Sequence, residues 1–170
     1  PKSMQEFNEA FVFRWSDRKN RKITEWKEIV KEFLRIPMAH QMVGDYLVID
    51  NAEEIENQRH MLLRPYQVHA IQAIEHAAFG SDNEEKEPHG GFIWHTTGSG
   101  KTITSFKSAL LLSTRTQFEK VVFLLDRKEL DRKTGEDFKA YAEYEGVAVD
   151  STKYTSNLKK YIKDSGTGII

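Results

Sequence analysis

The sequence predicts an α/β protein with a parallel sheet covered by helices. Short apolar runs such as residues 121–125 alternate with stretches of helical periodicity such as residues 101–112. A glycine-rich turn, Gly98-Ser99-Gly100, joins the apolar run at residues 91–94 to that helical stretch. Because strands that are apolar on both faces are typical of parallel sheets buried between helices, we expect that arrangement here.

Composition excludes several classes of protein. The chain has 170 residues, enough for one ordinary domain and a short appendage. Its 39% hydrophobic and 30% charged residues are typical of a soluble globular protein, and no apolar run approaches the roughly 20 residues that cross a bilayer. The absence of cysteine rules out a disulfide framework and agrees with a cytoplasmic location. A net charge of -1 argues against a uniformly basic nucleic-acid binder but allows a local basic patch.

The sequence predicts that residues 1–58 form a mainly helical linker segment. Apolar residues recur at helical spacing between Trp26 and Leu34, which indicates an amphipathic helix over 23–34 that Pro37 ends. The run 46–49 is either a short strand or part of a linker. The polar, acidic stretch that follows marks a boundary, so we predict a second domain over 59–170.

Within residues 59–170 the pattern alternates between helix and strand. A helix is predicted from Pro65 to the residues before Gly80, and the acidic stretch 81–87 is predicted to be a solvated loop. The expected strands are 91–94, 121–125, 147–149 and 168–170, and the further helices are 101–112, 134–144 and 156–162. Since the chain starts at Pro1 without Met and ends as a strand begins, we expect it to be a fragment.

The stretch 95–102 predicts a phosphate-binding loop. It matches the pattern G-x-x-x-x-G-K-[ST] except at its first position, where His95 replaces glycine. Glycines allow successive backbone N–H groups to converge on phosphates at the start of a helix. The alternative is a plain glycine-rich turn, but the strand before it and the helix after it favour phosphate binding. The predicted nucleotide-binding residues of the loop are Thr97, Gly98, Ser99, Gly100, Lys101 and Thr102.

Two residues of the loop are predicted to take part in catalysis. Lys101 should reach the β- and γ-phosphates of ATP as a mobile positive charge. The Thr102 hydroxyl should be a ligand of Mg²⁺, which bridges the same phosphates. The predicted cofactors are therefore ATP and Mg²⁺.

Three stretches together resemble the restriction (R) subunit of type I restriction-modification enzymes: 63–67 (Leu-Arg-Pro-Tyr-Gln), 94–102 and 123–131. The form Trp-His-Thr-x-Gly-Ser-Gly-Lys-Thr is characteristic of the superfamily 2 helicase motor in that subunit, so His95 is an expected substitution. The resemblance spans residues 61–170 and is looser over 1–60. It implies the first RecA-like domain of the motor, preceded by a linker from an upstream nuclease domain.

The resemblance also implies an adenine contact. Gln67 would contact the adenine edge, with Arg64 or Tyr66 against the base, as in the Q-motif of related helicases. An amide suits this role because it donates and accepts hydrogen bonds at once. The alternative is that these residues only begin a helix, with Tyr66 in the core and Gln67 exposed.

The end of the run 121–126 has two interpretations. Apolar residues that end in Asp126 imitate a Walker B strand, but the basic residues that follow would oppose a magnesium site. The resemblance instead makes this stretch motif Ia, a DNA-tracking element. The predicted phosphate contacts are Arg127, Lys128, Arg132 and Lys133. A solvated helix face, partly neutralised by Glu129 and Asp131, remains equally compatible with the sequence.

The function that the resemblance implies is ATP-driven translocation of double-stranded DNA. The full-length subunit would be an ATP-dependent type I site-specific deoxyribonuclease, with cleavage in a separate nuclease domain and specificity and methyltransferase subunits as partners. The fragment itself should bind ATP without efficient turnover, because it shows no Walker B acid and no second-lobe arginine finger. Two alternatives stay open: a P-loop kinase or signalling ATPase with Asp126 as metal ligand, and a non-enzymatic nucleotide-binding module.

A pair of histidines and a basic stretch near the start of the chain are not predicted to form functional sites. His69 and His76 lie on one predicted helix, but two imidazoles without a third ligand do not predict a zinc site. The basic stretch 14–22 contains Trp15. Its two interpretations are a nucleic-acid contact and a solvated loop, and the loop is favoured.

Overall fold

The computed structural model describes residues 14–50, 59–79, 90–114, 118–125, 128–152, 154–164, 166 and 168–170, with the side chains of 128–131 excepted. Its helices are α1 (Trp26–Glu32), α2 (Met38–Gly44), α3 (Pro65–Phe79), α4 (Lys101–Ser113), α5 (Lys128–Ala142) and α6 (Thr155–Lys163). Its strands are β1 (Leu47–Asp50), β2 (Arg59–Leu62), β3 (Lys120–Val121), β4 (Ala148–Val149) and β5 (Gly168–Ile169). No helix among the described residues is long and apolar enough to cross a membrane.

The small parallel sheet confirms the predicted mixture of helices and parallel strands. β5 lies between β3 and β4 and runs parallel to both. Helix α4 packs against β3 and β5, and α5 packs against β4. Phe138 of α5 holds these layers together, since its ring lies 5.4 Å from that of Phe106 on α4 and 5.1 Å from that of Phe123 beyond β3.

The segment 14–50 shares its core with the helices that follow it. Trp15, Tyr46 and Val48 are buried in one hydrophobic cluster with Ile71 of α3 and Phe106 of α4. β1 pairs with β2 in antiparallel register, from Leu47 opposite Leu62 to Asp50 opposite Arg59. The predicted boundary at residue 58 therefore falls between two paired strands.

Strand β1 also reaches helix α5. Burial raises the pKa of Tyr141 to about 12, and the carboxylates of Asp137 and Asp50 add to this effect. Burial likewise raises the pKa of Asp137, with a further contribution from Asp50. The end of β1 and the middle of α5 are thus close enough to interact electrostatically.

The predicted strand at 91–94 is wrong. These residues form no ladder with any described strand, and Phe92 and Trp94 are each 87% exposed. Apolar composition gives the propensity for a strand, but a strand also needs a partner backbone, which is a tertiary property. Of the predicted strand 121–125, only Val121 belongs to β3. In the residues that follow it, Val122 and Leu124 are exposed, while Phe123 packs against the core.

Several element boundaries differ from the expectation. α5 begins at Lys128 rather than at residue 134 and continues through Gly135. Its inward face, which includes the buried Thr134, Phe138 and Ala142, stabilises the helix more than one glycine weakens it. α1 is shorter than predicted, and none of its residues is fully buried. α2 and β2 were not predicted.

Candidate nucleotide-binding site

The phosphate loop owes its shape to two glycines with left-handed backbones. Gly98 has φ 76° and Gly100 has φ 79°, a region that side chains with a Cβ rarely adopt. Gly100 is also the N-cap of α4, so the loop leads directly into the free N–H groups of that helix. No atom lies within 4 Å of the position that a Cβ on Gly98 would occupy, which leaves open space above the loop.

Lys101 lies against the loop itself. Its Nζ donates to the Thr96 carbonyl oxygen at 2.9 Å, and the Ser99 hydroxyl donates to the same oxygen at 2.7 Å. The Lys101 side chain is exposed, so it can leave this neutral acceptor for a phosphate oxygen. Since hydrogen bonds to ionised acceptors are the stronger ones, an anion above the loop would compete well for the ammonium group.

The start of α3 supports the loop from the other side. The carbonyl oxygen of Ser99 accepts one hydrogen bond from the Tyr66 hydroxyl at 2.9 Å and one from Gln67 Nε2 at 3.1 Å. Gln67 Oε1 in turn accepts from the backbone N–H of Arg64 at 2.8 Å. The structure thus brings 64–67 to the phosphate loop, but Gln67 is only 6% exposed and both ends of its amide already have protein partners.

Thr102 lies in the first turn of α4 and is half-buried. The helix is fixed beneath it by Ile103 and Phe106 in the core, and the Thr104 hydroxyl donates back to the Gly100 carbonyl at 2.9 Å. No cluster of three or more potential metal-ligating side chains occurs in the described part of the chain.

His95 packs beside the loop in a way that favours its neutral form. Its ring meets the ring of Tyr66 edge-on, with the centroids 5.7 Å apart. Burial, and then the positive charge of Lys101, lower the pKa of His95 below its usual value. A neutral imidazole next to a lysine agrees with a packing role at the entry of the loop.

Two of the predicted DNA contacts are described with their side chains, and both lie in α5. Arg132 and Lys133 are exposed, and Arg132 Nη1 donates to Glu136 Oε1 at 2.8 Å. Of the other candidates, Arg127 and Asp126 lie outside the described residues, and Lys128 is described only as the first residue of α5. The ion pair with Glu136 partly neutralises Arg132, whereas the side chains of Glu129 and Asp131, which the solvated-face interpretation invoked, lie outside the described residues.

One part of the site was not anticipated. A cleft of about 850 Å³ beside the loop is lined not only by Tyr66 and residues 92–99 but also by Asp17, Arg18 and Asn20. The sequence Asp-Arg-Lys-Asn could have indicated a turn, because Asp and Asn favour turns. Its position against α3 depends on tertiary contacts that no local pattern reveals.

The chain was compared with known families and proteins. Residues 66–170 match the family model described as SWI2/SNF2 ATPase. A type I restriction enzyme endonuclease subunit of Staphylococcus saprophyticus is 39% identical over 165 residues, and one of Staphylococcus aureus strain COL is 37% identical over the same length. Both alignments cover 97% of this chain but only 16% of the relative, so the chain spans about a sixth of those proteins.

A shorter relative comes from Mycoplasma pneumoniae and is named as the C-terminal part of a type I restriction enzyme endonuclease subunit. It is 34% identical over 158 residues, which are 91% of this chain and 73% of that protein. The family match begins within the 64–67 stretch and includes the whole phosphate loop and α4. The chain therefore belongs to the type I restriction enzyme endonuclease subunits, and its residues 66–170 match the SWI2/SNF2 ATPase family.

Proposed function

We propose that this chain is the ATP-binding part of the DNA-translocating motor in a type I restriction enzyme R subunit, within the first RecA-like domain. The observation that carries the proposal is the loop 95–100, whose two left-handed glycines lead into the N-terminus of α4 with Lys101 and Thr102 at its head. In the whole subunit, ATP hydrolysis would move double-stranded DNA. Cleavage would occur in a separate nuclease domain, and specificity and methyltransferase subunits would select the site. Residues 1–58 would link that nuclease domain to the motor at 59–170.

The residues of the loop fit a magnesium nucleotide. Bound ATP would supply the phosphoryl group that is transferred, and Mg²⁺ would offset the negative charge of the phosphates. The open space at Gly98 leaves room for phosphate oxygens, and the α4 N-terminus directs N–H groups toward them. Lys101 would exchange the Thr96 carbonyl for a phosphate, and Thr102 would hold the magnesium ion.

Residues 64–67 would contribute to nucleotide binding chiefly through the loop. Tyr66 and Gln67 both donate to Ser99, so they fix the orientation of its peptide group at the turn. A correctly oriented turn aims its N–H groups at the phosphates before the ligand arrives. The adenine contact of Arg64, Tyr66 and Gln67 remains part of the proposal, and a comparison of ATP with GTP tests it.

The DNA contacts of the motor would be made from α5. Arg132 and Lys133 are exposed there, and Arg127 and Lys128 precede them along the chain. Contacts of this kind would follow the phosphate backbone without reading sequence. That is the behaviour required of a translocase, since site choice lies with the specificity subunit.

Membership of the SWI2/SNF2 ATPase family favours the motor over the two alternatives. A kinase or signalling ATPase would need Asp126 as metal ligand, and that residue lies outside the described residues. A non-enzymatic nucleotide-binding module would keep the loop but would never turn over ATP. The full-length subunit, in contrast to this chain, should be an active ATP-dependent deoxyribonuclease.

The proposal is tested by the thermal stability of the 170-residue chain with and without ATP and Mg²⁺. We expect the ligand to raise the melting temperature of the wild type, because binding to the folded state stabilises that state. The melting temperature of Lys101→Ala should be the same with and without the ligand. Lys31→Ala, at an exposed position on α1, is the control and should respond like the wild type. A wild type that shows no shift would contradict nucleotide binding, and robust DNA-stimulated ATPase activity would contradict the expected lack of turnover.

A further inference from the structure

The cleft beside the phosphate loop has a wall that the proposed function does not use. Its first wall is the segment 92–99, which includes the loop. Its second is one face of α3, where Tyr66, His69, Ala70, Ala73 and His76 follow helical spacing. Its third is the turn formed by residues 16–22, here called the N-terminal turn, which contributes Asp17, Arg18 and Asn20.

The N-terminal turn is held together by the carboxylate of Asp17. Asp17 Oδ1 accepts from the backbone N–H groups of Lys19 and Arg21, both at 2.9 Å, and Oδ2 accepts from Arg21 Nε at 2.8 Å. These hydrogen bonds, that of the Arg21 backbone first, lower the pKa of Asp17. The backbone N–H of Asn20 donates to the Asp17 carbonyl at 2.9 Å, and a bridge between Ser16 and Lys22 closes the turn.

A histidine fixes this turn to α3. His69 Nε2 lies 2.8 Å from the carbonyl oxygen of Ser16, which can only accept, so this nitrogen carries the proton and donates. The buried ring of Trp15 packs edge-on against His69 with the centroids 5.6 Å apart. Since Tyr66 on the same helix bonds to Ser99, one helix sets the distance between the turn and the phosphate loop.

Two neighbouring basic residues of the turn are placed differently. Arg18 lines both the cleft beside the loop and an adjoining cleft of about 440 Å³, whereas Lys19 lines the adjoining cleft and not the one beside the loop. Both side chains are exposed. Ala70 and Ala73 line the same cleft, and their small side chains leave width between the turn and α3.

We propose that the N-terminal turn closes the base and ribose end of the nucleotide site, with Arg18 as its principal contact. The inference rests on the proposed function, because the phosphate loop must first hold the triphosphate. The rest of a nucleoside triphosphate then extends from the loop, and the cleft is within the usual range of about 300–1,000 Å³ for ligand sites. A guanidinium plane can stack on the face of a base and can donate to ribose hydroxyls.

The experiment compares two ligands that share a triphosphate, ATP and inorganic tripolyphosphate, each with Mg²⁺ and each measured by calorimetry on the 170-residue chain. Arg18→Gln should weaken ATP binding roughly tenfold, because one charge-assisted contact is lost, and should leave tripolyphosphate unchanged. Lys19→Gln removes the same charge one residue away and should change neither affinity. Lys101→Ala should weaken both.

A second variant tests the anchor. His69→Phe keeps an aromatic ring against Trp15 but cannot donate to Ser16, so the turn should lose its fixed position over the cleft. We expect ATP binding to weaken while tripolyphosphate binding is retained. Arg18→Gln should then reduce ATP affinity less in the His69→Phe background than in the wild type, because the two changes act on one contact.

Two results would overturn the inference. If Arg18→Gln leaves ATP affinity unchanged, the turn is not part of the site. If it weakens ATP and tripolyphosphate equally, Arg18 contacts phosphates and not the base and ribose. A failure of the proposed function looks different, since Lys101→Ala would then leave both affinities unchanged.

Discussion

Gln67 lies directly against Gly100. A Cβ on Gly100 would stand 2.5 Å from Gln67 Nε2 and 3.2 Å from Ile103 Cγ2. The same Nε2 donates to the Ser99 carbonyl one residue earlier. The first turn of α3 and the last residue of the phosphate loop therefore pack as one unit, and only glycine fits between them.

Gly100→Ala should destabilise the chain and impair nucleotide binding. The new methyl group would displace the Gln67 amide, and the left-handed backbone at φ 79° adds strain. We expect a loss of about 1–3 kcal/mol in the free energy of unfolding, measured by urea denaturation, together with weaker ATP binding. Gly135→Ala is the matched control, because it lies inside α5 with nothing within 4 Å of its Cβ position. It should stabilise the chain by roughly 0.5–1 kcal/mol, and equal losses at both positions would contradict the close contact with Gln67.

Gln67→Leu distinguishes support of the loop from recognition of adenine. If Gln67 acts through Ser99, the variant should weaken ATP and GTP by the same factor, since both share the triphosphate. Tyr66→Phe removes the other donor to Ser99 and should have a smaller effect of the same kind, because Gln67→Leu also removes the acceptor of the Arg64 backbone N–H. Selective loss of ATP binding in Gln67→Leu, with GTP unaffected, would instead favour a direct adenine contact.

Glu145→Gln should cost more stability than Lys107→Met. Lys107 is only 1% exposed on α4, and its Nζ lies 2.7 Å from Glu145 Oε1. Removing the acid leaves a buried ammonium group without its ionic partner. The cost should be about 2 kcal/mol, because the Glu145 side chain is itself 31% exposed.

Lys107→Met removes the buried charge and keeps most of the volume, so its cost should be smaller. Urea unfolding of both variants provides the measurement, and Glu136→Gln, in the exposed pair with Arg132, is the control with an expected effect of about 0.5 kcal/mol or less. A larger loss for Lys107→Met than for Glu145→Gln would reverse the expected order.

Phosphate binding should raise the pKa of His95. Burial and the Lys101 charge now lower that pKa, and the negative charge of a bound nucleotide would oppose both effects. NMR titration of the imidazole resonances, with and without ATP and Mg²⁺, measures the change. Lys101→Met should also raise the pKa of His95, since it removes the positive charge. A pKa that responds to neither change would show that His95 is insensitive to the loop.

The lowered pKa of His95 also has a consequence for stability. The unfolded chain binds the proton more readily, so stability falls as the pH falls from the unfolded pKa of about 6.5 toward the folded value. Above pH 6.5 this contribution is constant. His95→Asn should reduce that part of the pH dependence in thermal melts.

DNA binding should depend more on Lys133 than on Arg132. Arg132 is paired with Glu136, so Arg132→Gln loses a charge that is already partly neutralised. Glu136→Gln should strengthen DNA binding by freeing Arg132 for phosphate. Measured against salt concentration, Lys133→Gln should lower the slope of the logarithmic affinity by about 1, whereas Lys139→Gln, further along α5, should leave it unchanged. Equal slopes for all four variants would remove α5 from the DNA contact surface.

Local signals were enough to predict α3, α4 and the glycine turn that leads into α4. Pro65 marks the start of α3, and the glycines of the loop precede α4 directly. The strand at 91–94 could not be judged in the same way, because pairing depends on residues distant in sequence. α2 was missed because Pro37 was interpreted only as the end of a helix, although it is also the N-cap of α2.

The candidate site was predicted in part, and the contacts that depend on residues distant in sequence were missed. The resemblance predicted that residues 64–67 lie at the nucleotide site. It did not reveal that both ends of the Gln67 amide form hydrogen bonds within the protein, one with Ser99 and one with Arg64. The N-terminal turn was assigned to solvent because its charged composition resembles an exposed loop. Its place beside the site depends on His69, which lies 53 residues from Ser16 in the sequence.

The pairing of β1 with β2 has a mechanical consequence. Tension on the chain before Leu47 would act on a paired strand and not on a flexible linker, because β1 pairs with β2 in antiparallel register over four residues. Pulling would load that ladder, and since β1 packs against α5 and α5 packs against α4, the load would reach α4, whose first residue is Lys101. A force applied to the chain from the N-terminal side would therefore act on α4, the helix that directly follows the phosphate loop.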